Sequence, residues 1–274
     1  MVIHRMSSEP ENGAGPLFFE LAGNLRLSML SKFREKSYRL SQLASELNAT
    51  MQETHRNVVR LVEAGLILKD SDGQHMLTPY GKVVVELIPS LTFLYNHREY
   101  FLEHDISDLP TQLIHRLGSL ANCEVVHGVL AIVQRWKNLY LESKSYIKEI
   151  MGQVPVDLIE VLSTRIESGI KFSYIFGRDS VIPKGRSEIL HKVGWTEFIS
   201  KGLVSRRMLD TVKIMVILNE SDACVLFPNL KGEPDLNTMF YSNDKEFHSW
   251  SNELFELQWK LASSFDESKL MAEV

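Results

Sequence analysis

Between residues 40 and 81 the apolar positions recur first at helical and then at strand spacing. Leu40, Leu43, Ala44 and Leu47 lie at i, i+3, i+4 and i+7, which predicts a short helix with one buried face. Asn48 and Ala49 end it. Thr50 followed three residues later by Glu53 has the spacing of a capping box and predicts the start of a second helix. Its apolar stripe is Thr54, Val58, Leu61 and Val62, which leaves Gln52, His55, Arg56, Val59, Arg60 and Glu63 on the opposite face. Gly65 stands at the C-cap position, and Leu66–Leu68 and His75–Leu77 then flank the polar run Lys69–Gln74 as a hairpin. Thr78 and Pro79 open the next helix.

That order of elements is the order of a winged helix-turn-helix, a module that places its second helix in the major groove of DNA. Glutamine pairs bidentately with adenine and arginine with guanine, so the outer face of the second helix suits base edges. The expected DNA-binding residues are Gln52, His55, Arg56 and Arg60 in the groove, with Arg39, Lys69 and His75 turned toward backbone or minor groove. The same elements also build modules that bind protein or RNA, and an interaction adaptor stays open as an alternative. Because one helix reads few base pairs, a homodimer on double-stranded DNA is expected, its half-sites about 34 Å apart.

Outside this region the pattern predicts four segments. Residues 1–16 are polar with Gly and Pro and read as a disordered arm, and 17–82 form the winged domain, with one helix over Leu17–Phe33. Residues 83–107 read as a helical connector kinked or broken at Pro89, and its aromatics Phe93, Tyr95, Tyr100 and Phe101 are too many for a solvated spacer. Residues 108–274 alternate β-branched runs with helical stretches, the texture of an α/β effector or sensor domain. Predicted strands are Tyr146–Met151, Ile170–Phe176, Leu203–Met208, Lys213–Leu218 and Ala223–Phe227, with a possible strand start at Glu124–His127. Helices are expected at Pro110–Leu117, Val129–Glu142, Val156–Ser168, Ser187–Val193 and from Asp244 to Ser264. The fold class is therefore α+β or α/β, a winged helix joined to an α/β domain.

Charge sharpens this division. The 274-residue chain carries −5 overall, yet residues 26–82 hold nine Lys or Arg against six Asp or Glu, a net +3 that leaves −8 for the remainder. A basic reader joined to an acidic domain that does not touch DNA has this asymmetry. Cys123 and Cys224 are single and far apart, so neither a disulfide framework nor a paired-cysteine metal motif is present, and a reducing cytoplasm is expected. The longest apolar stretch, Val83–Leu94, is shorter than the ~20 residues of a membrane span, so no membrane partner is expected.

Several short runs carry a resemblance to a known family. His104-Asp105-Ile106-Ser107-Asp108-Leu109-Pro110, Val126-His127-Gly128-Val129 leading to Arg135-Trp136-Lys137, Cys224 through Leu230, and Glu246-Phe247-His248-Ser249-Trp250 before Leu254-Phe255 and Trp259 follow in this order. With the winged domain they resemble archaeal winged-helix transcription regulators of the methanogenesis-regulator (FilR) type, over roughly Leu17–Phe265. The resemblance implies an ArsR-like DNA-binding domain and a C-terminal domain that senses an effector or mediates assembly. The C-terminal part also resembles, more distantly, the phospholipase-D-like effector domain of sugar-sensing TrmB-type regulators, which raises a phosphodiesterase as an alternative.

The residues bear on that alternative directly. Phospholipase-D chemistry needs His, then Lys two positions on and an acid five further, because histidine attacks phosphorus while lysine steadies the phosphate charge. Around Lys213, Thr211 takes the histidine position and Leu218 the acid position, so the nucleophile is missing and no enzyme is expected. Isolated His55 and His75 offer no metal site, and no cofactor is implied. For a small-molecule effector the candidate residues are Glu124, His127, Trp136 and Lys213, although Trp136 also fits a helix core and Lys213 a snorkelling strand end.

Overall fold

The computed structural model describes residues 13–153 and 155–270. The chain divides between Ile88 and Pro89 into two compact units.

The first unit begins with α1 (Gly15–Leu21) and α2 (Asn24–Glu35), followed by α3 (Leu40–Glu46) and α4 (Met51–Glu63). Strands β1 (Ile67–Lys69) and β2 (His75–Leu77) pair antiparallel with Lys69 opposite His75, and α5 (Pro79–Asn96) follows. Met29, Leu30, Phe33, Leu43, Val58, Leu61, Leu66, Ile67 and Leu77 close one core between these elements. The turn α3–α4 depends on Asn48, whose φ of 50° lies in the left-handed region that asparagine tolerates. The Thr50 hydroxyl accepts from the Glu53 N–H at 3.2 Å and starts α4. The wing tip is an Asx turn in which Asp70 Oδ1 accepts from the amides of Asp72 at 2.9 Å and Gln74 at 2.8 Å.

Two local expectations are corrected here. The helix expected over Leu17–Phe33 is two helices broken at Ala22-Gly23, because the Arg26 guanidinium donates back to the carbonyls of Phe19 at 2.9 Å and Glu20 at 2.6 Å. These are carbonyls of the last turn of α1, which the guanidinium caps. A side chain at residue 23 would overlap it, the nearest guanidinium atom lying 2.6 Å from the position of a Cβ. Within α4 the buried stripe is Thr54, Asn57, Val58 and Leu61, whereas Val62 is exposed. Asn57 tolerates burial because its Nδ2 donates to the Glu53 carbonyl and its Oδ1 accepts from Arg26.

The expected arm 1–16 meets the described residues only at its end, where Gly15 and Pro16 already belong to α1; residues 1–12 lie outside the described part. Within the expected connector 83–107 the chain is helical to Asn96 and again over Arg98–Phe101. The division of the units falls inside α5, and Pro89 is accommodated within that helix. Of the connector aromatics, Phe93, Tyr100 and Phe101 gather with Phe227 and Phe240 in the second core, while Tyr95 is exposed.

The second unit continues with α6 (Arg98–Phe101), α7 (Thr111–Ile114), β3 (Glu124–His127), α8 (Val129–Glu142), β4 (Tyr146–Gln153) and α9 (Ile159–Glu167). Then come β5 (Lys171–Val181), α10 (Arg186–Lys192), α11 (Trp195–Ser200), β6 (Val204–Leu209), β7 (Met215–Leu218), β8 (Ala223–Leu226), β9 (Thr238–Ser242), α12 (Lys245–Leu261) and β10 (Ser263–Ser264). The strands form one eight-stranded sheet in the order β10-β6-β5-β4-β7-β8-β9-β3. Only β4, β5 and β6 run parallel to one another, and the other pairings are antiparallel, so the fold is mixed α+β. β9 was not expected as a strand, nor α11 as a helix. On one face Lys148 reaches Asn252 at 2.8 Å and Glu256 at 2.6 Å, both on α12. Its neighbour Glu149 points to the other face, toward Trp136 and Tyr140 on α8.

Candidate nucleic-acid interface

Helix α4 is held by its buried stripe, so the residues half a turn away must face outward. Gln52, His55 and Arg56 are exposed there, with Val59 and Glu63 on the same side. No described residue forms an ion pair with Arg56, Arg39 or Lys69, which leaves their charges uncompensated at short range. Arg39 caps α3, and its own amide is held by Gln42 Oε1 at 3.0 Å. Lys69 ends β1 at the wing.

Two of the expected contact residues lie elsewhere. Arg60 is turned to α1, where its guanidinium meets the Glu20 carboxylate through two hydrogen bonds of 2.9 and 2.7 Å and covers the Phe19 ring at 5.0 Å. Those hydrogen bonds are the main reason that the Glu20 carboxyl sits below its ordinary pKa. A guanidinium already paired bidentately has few donors left for a base. His75 is buried, its backbone bridging that of Tyr38, and burial pushes its imidazole pKa down. A buried ring does not reach a phosphate, and burial disfavours the charged form that would pair with one. The other bases of this unit are partly spent: Lys32 pairs with Glu35 and Glu46, and Arg34 with Glu86. Lys36, exposed beside Tyr38, is a further cation that sequence reading passed over because it lies in a loop without periodicity.

The four effector candidates of the second unit do not converge. Glu124 is exposed on β3 and pairs at 2.8 Å with Arg135, which stacks over Tyr241; His127 is exposed at the end of the same strand. Trp136 is buried and donates its indole N–H to Glu149 at 2.7 Å, a core position. Lys213 pairs with Asp108 at 2.5 Å beside a cavity that Thr211, Leu254 and Gln258 also line. Sequence reading missed the buried Glu149, and with it a second, apolar cavity lined by Tyr174, Arg186 and Trp195. Among the described residues no group of three or more His, Cys, Asp or Glu is placed to hold a metal ion, and no helix is long and apolar enough to cross a membrane.

No family model and no curated protein matches the chain. Among solved structures it is similar to TrmBL2, an archaeal chromatin protein whose structure shows a novel mode of DNA binding, with 14% identity and a TM-score of 0.42 over 90% of this chain and 95% of that one. It is also similar to NucT from Helicobacter pylori, with 11% identity and a TM-score of 0.41 over 53% of this chain and 99% of that one. A phospholipase D family member, Nuc from Salmonella typhimurium, matches over the same shares with 11% identity and a TM-score of 0.38.

Proposed function

We propose that this chain is a DNA-binding transcription regulator of the winged-helix, ArsR-like kind, with α4 in the major groove and the second unit serving assembly or effector sensing. The observation that carries this reading is the division of α4 itself: one face is fixed in the core, and the other offers Gln52, His55 and Arg56 to solvent, with Arg39 and Lys69 as cations of the same unit that have no ion-pair partner among the described residues. Amide and guanidinium donors on an exposed helix match base edges, and the flanking cations match phosphate. Such a protein works in the cytoplasm, as a regulator of the archaeal type that the sequence resembles.

The test is titration of selected duplexes at several salt concentrations. Arg56→Ala is expected to lower affinity for the preferred site by roughly 1–3 kcal/mol and to relax the sequence preference, while Lys69→Ala weakens all duplexes alike and reduces the salt slope by about one. Arg60→Ala should leave the preference unchanged, because Glu20 already holds that side chain. Binding that ignores salt, or an Arg56→Ala protein with the parent's preference, would remove α4 from the interface.

The reading includes a homodimer. On the first-unit part of α5 the side chains of Tyr80, Val83 and Leu87 are all at least half exposed, and they recur every three or four residues along one stripe. A contiguous apolar stripe of that length asks for a partner, and a second copy supplies the second half-site. Leu87→Glu is expected to convert dimer to monomer in light scattering and to halve the footprint on DNA; an unchanged mass would place the dimer contact elsewhere.

The phosphodiesterase alternative is less well supported. Asp108 already neutralises Lys213, and Thr211 offers a hydroxyl where that chemistry needs an imidazole.

A further inference from the structure

The second unit holds a cavity whose lining is apolar except for a small set of polar groups. Leu158, Ile159 and Leu162 close one side with Phe172 and Leu190. The free space is about 40 Å³. At ~10–15 Å³ for each enclosed water, this suits a group of three or four heavy atoms, and the mouth is open enough for a chain to continue outward.

The polar groups are of one kind. Tyr174 is 2% exposed and Trp195 7%; the Trp195 indole N–H and Arg206 lie near enough to act on the Tyr174 oxygen, yet among the described residues neither the Tyr174 hydroxyl nor the indole N–H makes a well-formed hydrogen bond. Arg186 is 5% exposed and lines the same space, its guanidinium 5.7 Å from the Phe176 ring centre. The groups acting on the Tyr174 phenol are Arg206, Arg186 and Trp195, all donors. Arg206 is its cross-strand neighbour on β6. Tyr140 also lines the cavity, but its hydroxyl already donates to Glu149 at 2.6 Å. Buried donors without acceptors are costly, and proteins keep them where something else completes them.

We propose that this cavity binds a short-chain carboxylate, its oxygens accepting from Tyr174, Trp195 and Arg186 and its alkyl chain lying on the leucine and isoleucine side. A carboxylate brings acceptors only, which is what the Tyr174 hydroxyl and Trp195 indole call for, and a guanidinium such as that of Arg186 takes it bidentately. A free phosphate fits less well, since it would exchange its hydration for a mostly aliphatic wall. Glu149 lies next to Tyr174 in the row across β4 and β5, and its burial favours the uncharged acid, which limits repulsion of a bound anion.

The experiment uses the full chain without DNA, so that it does not depend on the regulator reading. Butyrate, acetate and the uncharged butyramide are titrated below the pH at which Glu149 ionises, with calorimetry and tryptophan fluorescence as readouts. Butyrate should bind saturably and shift the Trp195 emission, with butyramide weaker by roughly tenfold. Tyr174→Phe keeps the ring and loses only the hydroxyl, and should weaken butyrate by about the same factor. Arg186→Met should abolish binding. If that variant does not fold, Trp195→Phe followed by calorimetry takes its place, with a loss like that of Tyr174→Phe. Absence of saturable butyrate binding, equal affinity for butyramide, or an unaffected Tyr174→Phe protein would each overturn the assignment and leave a cavity that holds water only.

Discussion

Glu149→Gln should stabilise the second unit by about 3 kcal/mol at mildly alkaline pH and leave its stability almost unchanged at about pH 4. The side chain is fully buried in the centre of the sheet; Trp136 and Tyr140 both donate to Oε1, and Oε2 has no partner among the described residues. Burial pushes the carboxyl up to about 7, against the opposing pull of the two hydrogen bonds. The sign follows from proton counts. Between about 4.5 and about 7 the folded protein holds a proton that the unfolded chain has released, so stability falls as pH rises through that window and stays low above it. Glutamine resembles the protonated acid, because its oxygen can accept from Trp136 and Tyr140 and its amide occupies the unpartnered side, as the acid proton does. All four tryptophans, Trp136, Trp195, Trp250 and Trp259, lie in this unit, so fluorescence-monitored urea unfolding reports on it alone. The difference between parent and variant, plotted against pH, isolates this one group. A flat difference would mean that Glu149 titrates as an ordinary carboxylate.

The same residue shows where sequence reading reaches its limit. The run Tyr146–Met151 was legible as a strand from its texture, but nothing in its pattern singled out Lys148 or Glu149 within it. In a central strand both faces are covered, so Glu149 is cut off from water and Lys148 is only partly exposed. Lys148 reaches α12 and Glu149 turns to α8, and these partners come from parts of the chain that periodicity does not connect. The winged region was legible for the opposite reason. The Thr50 cap, the Asn48 turn and the Asp70–Gly73 tip are fixed by residues within a few positions of one another. Even there the long-range pairs escaped. Arg60 looked free because Glu20 lies 40 positions away, and Leu17–Phe33 looked like one helix because the capping role of Arg26 depends on tertiary placement. His75 follows the polar wing tip in sequence and so looked free, and the bridge to Tyr38 beside which it is buried joins a loop to that strand.

Gly81→Ala should destabilise the first unit by about 3 kcal/mol, although alanine normally improves a helix by about 1 kcal/mol over glycine. Gly81 is the third residue of α5 and is buried where the helix passes the end of α4 and the start of β1. A Cβ there would lie 1.9 Å from the carbonyl oxygen of Leu66 and 2.8 Å from its carbonyl carbon. Both are backbone atoms, so no side chain can swing aside. That carbonyl already accepts from the Thr78 amide at 3.0 Å, while the Thr78 hydroxyl accepts from the Gly81 amide at 2.8 Å and so starts α5. Making room for one methyl group therefore pulls α5 away from the wing or breaks the cap that begins it, and overpacking of this kind outweighs the gain in helix propensity. Leu66 stands two residues after Ala64, the C-cap of α4, and its amide is bonded to the Leu61 carbonyl, so the disturbance reaches the helix that presents Gln52, His55 and Arg56. Amide exchange should accelerate at Leu61 and Leu66, duplex affinity should fall for all sequences alike, and the tryptophan-monitored transition of the second unit should move much less. Exchange as slow as in the parent would show that the backbone gives way at little cost, and that the close approach of Gly81 to Leu66 is not what seats the wing.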